Sequence, residues 1–159
     1  MGPPSLYVLI RLGADQYAID ASQVVEVLPL VRLKTLPGAP VGAAGLMSYR
    51  GSAVPVLDVN IIALGVATPS RLMTRIVVVR YPKTPRRPEG GLLGLLVPEV
   101  LRVTHIDPGS FEAVGLEIDH ARYLGPVLIT ADGVLQRIEI AALLTDELRS
   151  SLFRTELAA

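Results

Sequence analysis

The fold is constrained most strongly by residues 40–58, which read PVGAAGLMSYRGSAVPVLD. Two apolar runs, residues 44–49 and 53–57, lie on either side of the Arg50-Gly51 pair. Short runs of strand-forming residues separated by a glycine-containing turn are typical of an antiparallel β-hairpin. We expect Gly45 and Gly51 to meet backbone requirements of this tight hairpin rather than to contact a ligand.

Further strands are predicted on both sides of this hairpin, at residues 6–10, 16–20, 28–36, 75–81, 92–97, 100–106, 127–130 and 134–138. Gly13-Ala14-Asp15 and Asp132-Gly133 supply turn residues, and Asp-Gly is a strong hairpin signal. Residues 92–97 and 100–106 are interpreted as strands that pair with each other. Residues 28–36 alternate apolar and basic side chains, which indicates a half-exposed strand.

Helices are expected at only two places. Residues 58–64 fit a short helix that is capped by its first residue and ended by Gly65. Residues 139–153 fit a C-terminal amphipathic helix packed on the body. Residues 21–27 fit either one turn of helix or a strand, and residues 82–91 predict a surface excursion. Many short strands with turns between them indicate a β-sandwich or barrels, and the pattern leaves that choice open.

The composition argues against several classes of function. Lys and Arg number 15, Asp and Glu also number 15, and aromatic residues make up 4% of the chain. Nucleic-acid binding favours a basic surplus and stacking aromatics, so no nucleic-acid partner is expected. The absence of cysteine excludes disulfides, thiolate nucleophiles and zinc–cysteine sites. A mean hydropathy of +0.48 leaves apolar surface for partners.

The sequence gives no sign of insertion into a membrane. Its first residues lack the basic and apolar regions of a signal peptide. The longest uncharged run, residues 35–49, is interrupted by prolines and glycines and is too short to span a bilayer. A cytoplasmic location is the expectation.

No motif indicates catalysis. Glycine-rich nucleotide loops, a Walker loop and a His-Glu-x-x-His pattern are all missing from the sequence. His105 and His120 are the only histidines, and each is expected to be structural or solvated. We therefore expect no catalytic residue, no metal, no cofactor and no enzymatic activity.

The ordered series of motifs along the chain resembles the CheW family, over residues 5–150. The matching positions are Tyr17-Ala18-Ile19-Asp20, Val24-Val25-Glu26-Val27, Pro37, Pro40, Gly45, Arg50-Gly51, Val54-Pro55-Val56, Asp58, the strand 75–79, Gly94-Leu95-Leu96-Val97, Val100, Tyr123-Leu124-Gly125 and the strand 134–138. The block from Pro40 to Asp58 is the most specific part.

Three departures from the family pattern stand within these motifs. Ser48-Tyr49 replaces the usual Asn-Leu, Pro98 replaces an Asp, and Asn60 replaces an Arg. They indicate a divergent paralogue.

The resemblance implies an all-β fold of two small five-stranded SH3-like barrels with a C-terminal helix. It implies one CheW-like domain over residues 1–159, made of two intertwined barrel subdomains. The implied function is that of a non-enzymatic scaffold. It would couple chemoreceptors of the methyl-accepting type to a CheA-type histidine kinase. The alternatives are an adaptor of a non-motility pathway, such as a diguanylate-cyclase-linked one, an oligomeric structural module, and an enzyme built on small barrels.

Two sets of site residues follow from the resemblance. The first is a kinase-binding edge, Leu30, Val31 and Leu33, for which an ordinary amphipathic strand is the alternative. The second is a receptor-binding groove formed by Val24, Glu26, Arg50 and Arg75. For Val24 the alternative is an ordinary position in the core. Within this groove Glu26 and Arg50 are expected to form an ion pair, against the alternative of two unrelated surface charges.

Overall fold

The computed structural model describes residues 3–83, 90–115 and 118–152. In this part of the chain there are ten strands and two short α-helices. In chain order they are β1 (Ser5–Leu12), β2 (Asp15–Asp20), β3 (Val24–Pro29), β4 (Ala43–Tyr49), β5 (Ser52–Asp58), α1 (Val59–Leu64), β6 (Arg75–Tyr81), β7 (Gly91–Val97), β8 (Glu99–Ile106), β9 (Leu124–Thr130), β10 (Gly133–Ile138) and α2 (Asp146–Leu152).

The strands divide into two five-stranded sheets. The first sheet has the order β8-β1-β2-β10-β9, and the second has the order β3-β6-β7-β5-β4. The predicted fold class, two small five-stranded β units with few helices, is therefore confirmed. Neither sheet closes on itself through a continuous hydrogen-bonded ladder, so both are open forms of the expected barrels.

The chain enters the sheets in three blocks. Strands β1 and β2 begin the first sheet, β3 to β7 form the whole second sheet, and β8 to β10 return to the first. A 3₁₀ turn at Ala21–Gln23 carries the chain out, which resolves the ambiguous residues 21–27 as a turn followed by a strand. In each sheet one parallel pair joins distant segments: β2 with β10, and β5 with β7.

The predicted pairing of residues 92–97 with 100–106 is wrong. Strand β7 lies between β6 and β5 in the second sheet, whereas β8 pairs with β1 in the first. Only Pro98 separates the two strands. The common hairpin loops contain at least two residues, so Pro98 alone is too short to form one between β7 and β8. The chain instead passes from the second sheet to the first at this point.

Two other predicted elements end differently in the structure. The strand expected over 28–36 stops at Pro29, and beyond it Lys34 makes only an isolated bridge to Leu46. The helix expected over 139–153 is a 3₁₀ turn at Ile140–Ala142 followed by α2. The hydroxyl of Thr145 accepts a hydrogen bond from the Leu148 amide at 3.2 Å and so restarts the helix. Residue 153 and the middle of the predicted excursion, 84–89, lie outside the described residues.

Three apolar clusters hold the sheets. The central cluster lies between them and includes Val8 and Ile10 from the first sheet, Val77 and Leu95 from the second, and Leu148 from α2. The outer cluster of the second sheet consists of Met47, Tyr49, Val54, Val56, Ile76, Val78 and Leu96. A smaller cluster on the first sheet contains Tyr7, Leu9, Ala18 and Leu135. Full burial of each large aliphatic side chain contributes about 1.5–3 kcal/mol to folding.

Candidate functional site

Three side chains join the two edges of the second sheet. Glu26 belongs to edge strand β3, and Tyr49 and Arg50 lie at the end of edge strand β4. The Tyr49 hydroxyl donates a 2.5 Å hydrogen bond to Oε2 of Glu26, and Nη2 of Arg50 lies 3.2 Å from the same oxygen. We call these three residues the seam cluster. The predicted ion pair is therefore present.

The turn between β4 and β5 sets the direction of the Arg50 side chain. Arg50 has φ of 47° and Gly51 has φ of 81°, so both residues of this two-residue loop are left-handed. Turns of this kind match the twist of the flanking strands but strain a residue that carries a side chain. The guanidinium carbon lies 5.1 Å from the centroid of the Tyr49 ring. The arginine thus has fixed partners although 70% of its side chain is exposed.

The seam cluster also sets the protonation of its tyrosine. The hydrogen bond to the Glu26 carboxylate raises the pKa of Tyr49 above 10.0, and burial adds to the effect, while the Arg50 charge opposes it. The hydroxyl therefore stays protonated and remains a donor to Glu26 at neutral pH.

The other two predicted groove residues lie apart from this cluster. Val24 pairs with Val79, is partly buried and packs against the central cluster. This is the core position that was its alternative to a role in the groove. Arg75 begins β6 opposite Pro29, whereas Glu26 pairs with Val78, about 10 Å further along that strand at 3.3 Å per residue.

The guanidinium of Arg75 turns toward its own loop. Its Nη1 donates to the carbonyl oxygens of Leu72 at 2.6 Å and Thr74 at 2.9 Å. Leu72 and Met73 in the same loop are 94% and 54% exposed. Arg75 therefore stabilises an exposed apolar loop and does not contact the seam cluster.

The predicted kinase-binding residues lie in a segment without regular structure. Leu30, Val31 and Leu33 are half-buried and pack against the outer cluster of the second sheet, while Arg32 between them and Lys34 after them are exposed. We call residues 30–36 the cover segment. Its apolar side chains close the open face between β3 and β4, so they serve the core as well as the surface.

Gly45 fixes the position of the cover segment. Its φ is 146°, and a Cβ atom there would lie within 2.4 Å of the Lys34 carbonyl oxygen. The cover segment and β4 exchange backbone hydrogen bonds at this point, between Lys34 and Leu46 at 2.8 and 2.9 Å. Gly45 therefore meets a backbone requirement, as expected, but at the contact with the cover segment rather than at the hairpin turn.

Sequence reasoning missed Tyr49 as a site residue. In the sequence it stands out only as a departure from the Asn-Leu pattern, although it supplies the shorter of the two contacts to Glu26. Its position directly before the Arg50-Gly51 turn was the available signal, because a residue there lies close to the turn's side chains.

The histidines lie in exposed positions on separate elements. His105 is on β8, and His120 is in a 3₁₀ turn that lines a cleft of about 490 Å³ with Asp119 and Asp146. Asp119 is 87% exposed and lies 4.0 Å from Arg122, and no described side chain forms a hydrogen bond with His120. Across the described ranges, no three His, Asp or Glu side chains are grouped as metal ligands. The cleft does not hold an oriented base and carboxylate.

None of the helices in residues 3–83, 90–115 and 118–152 has the length and apolar character needed to cross a bilayer.

Comparisons with known proteins agree with this architecture. A family model described as CheW-like domain matches residues 6–148. The chain is similar to the crystal structure of the scaffolding protein CheW from Thermoanaerobacter tengcongensis, with a TM-score of 0.78 and 25% sequence identity over 93% of this chain and 92% of that one. No protein with a curated description matches the chain significantly. Since the family model spans most of the sequence and the two-sheet fold agrees with it, this chain belongs to the CheW-like family, whose fold is that of a non-catalytic chemotaxis scaffold.

Proposed function

We propose that this protein couples chemoreceptors of the methyl-accepting type to a CheA-type histidine kinase. It binds the cytoplasmic tip of the receptor and the regulatory domain of the kinase, and it makes or breaks no covalent bond. The observation that carries the proposal is the seam cluster, in which an exposed arginine is held ready for a partner by Glu26 and Tyr49. The protein acts in the cytoplasm and reaches the membrane only through receptor complexes.

The receptor side of the proposal uses the residues around the seam cluster. Glu26 and Arg50 form its polar centre, and we assign to its borders Val24, partly buried two residues before Glu26 on β3, and Arg75, about 10 Å along β6. The tip of a receptor coiled coil presents an amphipathic helix, which binds by laying its apolar face into such a groove.

The kinase side uses the cover segment. Leu30, Val31 and Leu33 keep part of their surface exposed, and Arg32 and Lys34 border them. A half-exposed apolar strip with a charged border has the make-up of a protein–protein interface.

Scaffolding requires both surfaces on one rigid body. We propose that residues 1–159 form a single domain of two intertwined subdomains, because the chain completes the first sheet only after it has built the second. Holding a kinase and a receptor on one body raises their effective concentration for each other and fixes their orientation.

The kinase arm is tested by calorimetry with the purified regulatory domain of the histidine kinase encoded nearest to this gene. Val31→Asp should weaken one-to-one binding, and Val134→Asp is the matched control, since Val134 is 59% exposed on the other sheet. Melting curves of both variants check the fold. Absence of binding to any kinase of the organism would overturn the proposal.

The receptor arm is tested by receptor-dependent kinase activity in a reconstituted mixture. Arg50→Ala should reduce coupling, and Arg102→Ala, which removes an exposed arginine from β8, should not. Normal coupling by Arg50→Ala at unchanged stability would remove the receptor role of the seam cluster.

An adaptor of a non-motility chemosensory pathway is the second candidate. It is favoured by Tyr49 and Pro98, two departures from the family pattern that the structure places in the seam cluster and at the passage between the sheets. Parallel binding assays with kinases of motility and diguanylate-cyclase-linked pathways separate the two candidates.

A further inference from the structure

The zero net charge of the chain conceals two halves of opposite charge. Residues 24–97, which contain the whole second sheet, carry nine Lys or Arg and three Asp or Glu. The remaining residues, which contain the first sheet, carry six Lys or Arg and twelve Asp or Glu. Unlike charges are therefore separated between two parts of the sequence rather than mixed.

The two described carboxylates of the basic half are already occupied. Asp58 is 4% exposed and caps α1, where it accepts hydrogen bonds from the amides of Asn60 and Ile61 and from Thr68. Glu26 is held in the seam cluster by Tyr49 and Arg50. Neither carboxylate is left to neutralise the remaining cations of this half.

The cations of the cover segment have no acidic partner. Arg32 and Lys34 are exposed, and no carboxylate in the described ranges lies within ion-pair distance of either; Nζ of Lys34 contacts only the Thr35 carbonyl oxygen, at 3.4 Å. In the acidic half, by contrast, three arginines are paired within the protein: Arg11 with Glu99, Arg122 with Asp119, and Arg137 with Glu139.

We infer that the cover segment binds a protein surface that is apolar at its centre and acidic around it. This rests on the proposed function and names the chemistry of the kinase surface that the segment meets. Two unpaired cations around three half-buried aliphatic residues complement carboxylates around an apolar patch, and the surplus positive charge of the whole half steers such a partner toward the segment.

The same observations select a protein over a nucleic acid as the partner. The residues between and beside the cations are Leu30, Val31 and Leu33, and the one aromatic residue of the outer cluster against which they pack, Tyr49, is itself buried. A surface that binds single-stranded nucleic acid needs exposed rings on which bases stack.

The test compares two double variants in the calorimetric kinase-binding assay. Arg32→Glu with Lys34→Glu reverses the charge of the cover segment. Arg102→Glu with Arg149→Glu makes the same charge change at exposed positions of the acidic half. The first should weaken binding by at least about tenfold at low salt and much less at about 1 M salt, where the screening length is only about 3 Å. The second should stay within about twofold of wild type.

Three results would overturn the inference. In the first, kinase binding depends on Val31 but is changed neither by salt nor by Arg32→Glu with Lys34→Glu. That result would refute an acidic partner surface and leave the proposed function intact. Absence of any kinase binding would remove both. Salt-dependent self-association of the protein alone, seen by ultracentrifugation and lost in this double variant, would assign the cover segment to the acidic half of a second copy. If the variant melts early, Arg32→Gln with Lys34→Gln repeats the comparison without repulsion.

Discussion

The Tyr49 hydroxyl and the Glu26 carboxylate lie 2.5 Å apart although 23 residues separate them in the chain. This contact spans the two edges of the second sheet, which share no backbone ladder. Together with the bridge at Lys34, it closes the sheet by side chains and a short crossing segment where a barrel would use strand pairing.

Removal of this contact should loosen the closure. We expect Tyr49→Phe to lower the free energy of unfolding, because Glu26 loses a hydrogen-bond donor in a partly buried place. Chemical denaturation measures the change. Tyr123→Phe, which alters a buried tyrosine outside the seam cluster, is the comparison, and a loss confined to that variant would contradict the expectation.

Stability should fall at alkaline pH for a definite reason. Burial raises the pKa values of Tyr17 and Tyr123, and the Glu26 hydrogen bond raises that of Tyr49, above 10.0. The fold favours the neutral phenols, so their contribution is complete below about pH 10 and is lost as pH rises through the raised folded values. Urea unfolding across this range should show a shallower decline for Tyr49→Phe than for wild type.

Arg50 offers a separation of stability from coupling. Its left-handed backbone strains any residue with a Cβ by about 1–2 kcal/mol. Arg50→Gly relieves that strain but loses the ion pair, and the two effects largely offset each other. The free energy of unfolding should therefore stay within about 0.5 kcal/mol of wild type while receptor coupling falls. Arg50→Ala keeps the strain and should be less stable than Arg50→Gly. The opposite order in denaturation would contradict the reading of the turn.

Gly45→Ala should displace the cover segment. The added Cβ meets the Lys34 carbonyl oxygen at 2.4 Å, whereas Gly133, with φ of 122°, has nothing within 4 Å of the same atom. Both substitutions strain the backbone, but only the first also has a clash, so we expect it to cost at least about 2 kcal/mol more. Thermal melting and kinase binding should both report it, and equal losses for the two variants would show that Gly45 has no special role.

Asp58→Asn should also be strongly destabilising. Asp58 is buried and accepts four hydrogen bonds that start α1 and hold Thr68. The amide replaces one acceptor oxygen by a donor that faces other donors, at a cost of about 3 kcal/mol. Asp20→Asn, at the more exposed cap of a 3₁₀ turn, should cost less in the same denaturation experiment.

Local signals were enough to predict the hairpins and the first helix. The turns at Gly13, Arg50-Gly51 and Gly133, and the cap at Asp58, are encoded within a few residues and lie as expected. The partners of β7 and β8 were not predictable in this way, because strand pairing between distant segments depends on packing of whole sheets. Periodicity placed apolar residues in the C-terminal segment correctly but could not show that the α-helix starts only after Thr145, which caps it.

The candidate site was predicted in part. The resemblance brought Glu26 and Arg50 together, as the structure does, but placed Arg75 with them. A sequence motif does not specify how far apart two residues lie along paired strands. The balanced charge count hid the separation of charge, which becomes visible only when residues 24–97 are known to form one sheet.

The three-block path of the chain has a consequence for synthesis on the ribosome. All five strands of the second sheet lie within residues 24–97, so this sheet can assemble on the nascent chain as soon as those residues emerge. Strands β1 and β2 must wait for β8, β9 and β10, and their edges stay open to wrong partners until about the last strand leaves the exit tunnel. The basic half of the protein is thus complete while three of the five strands of the acidic half are still to be made.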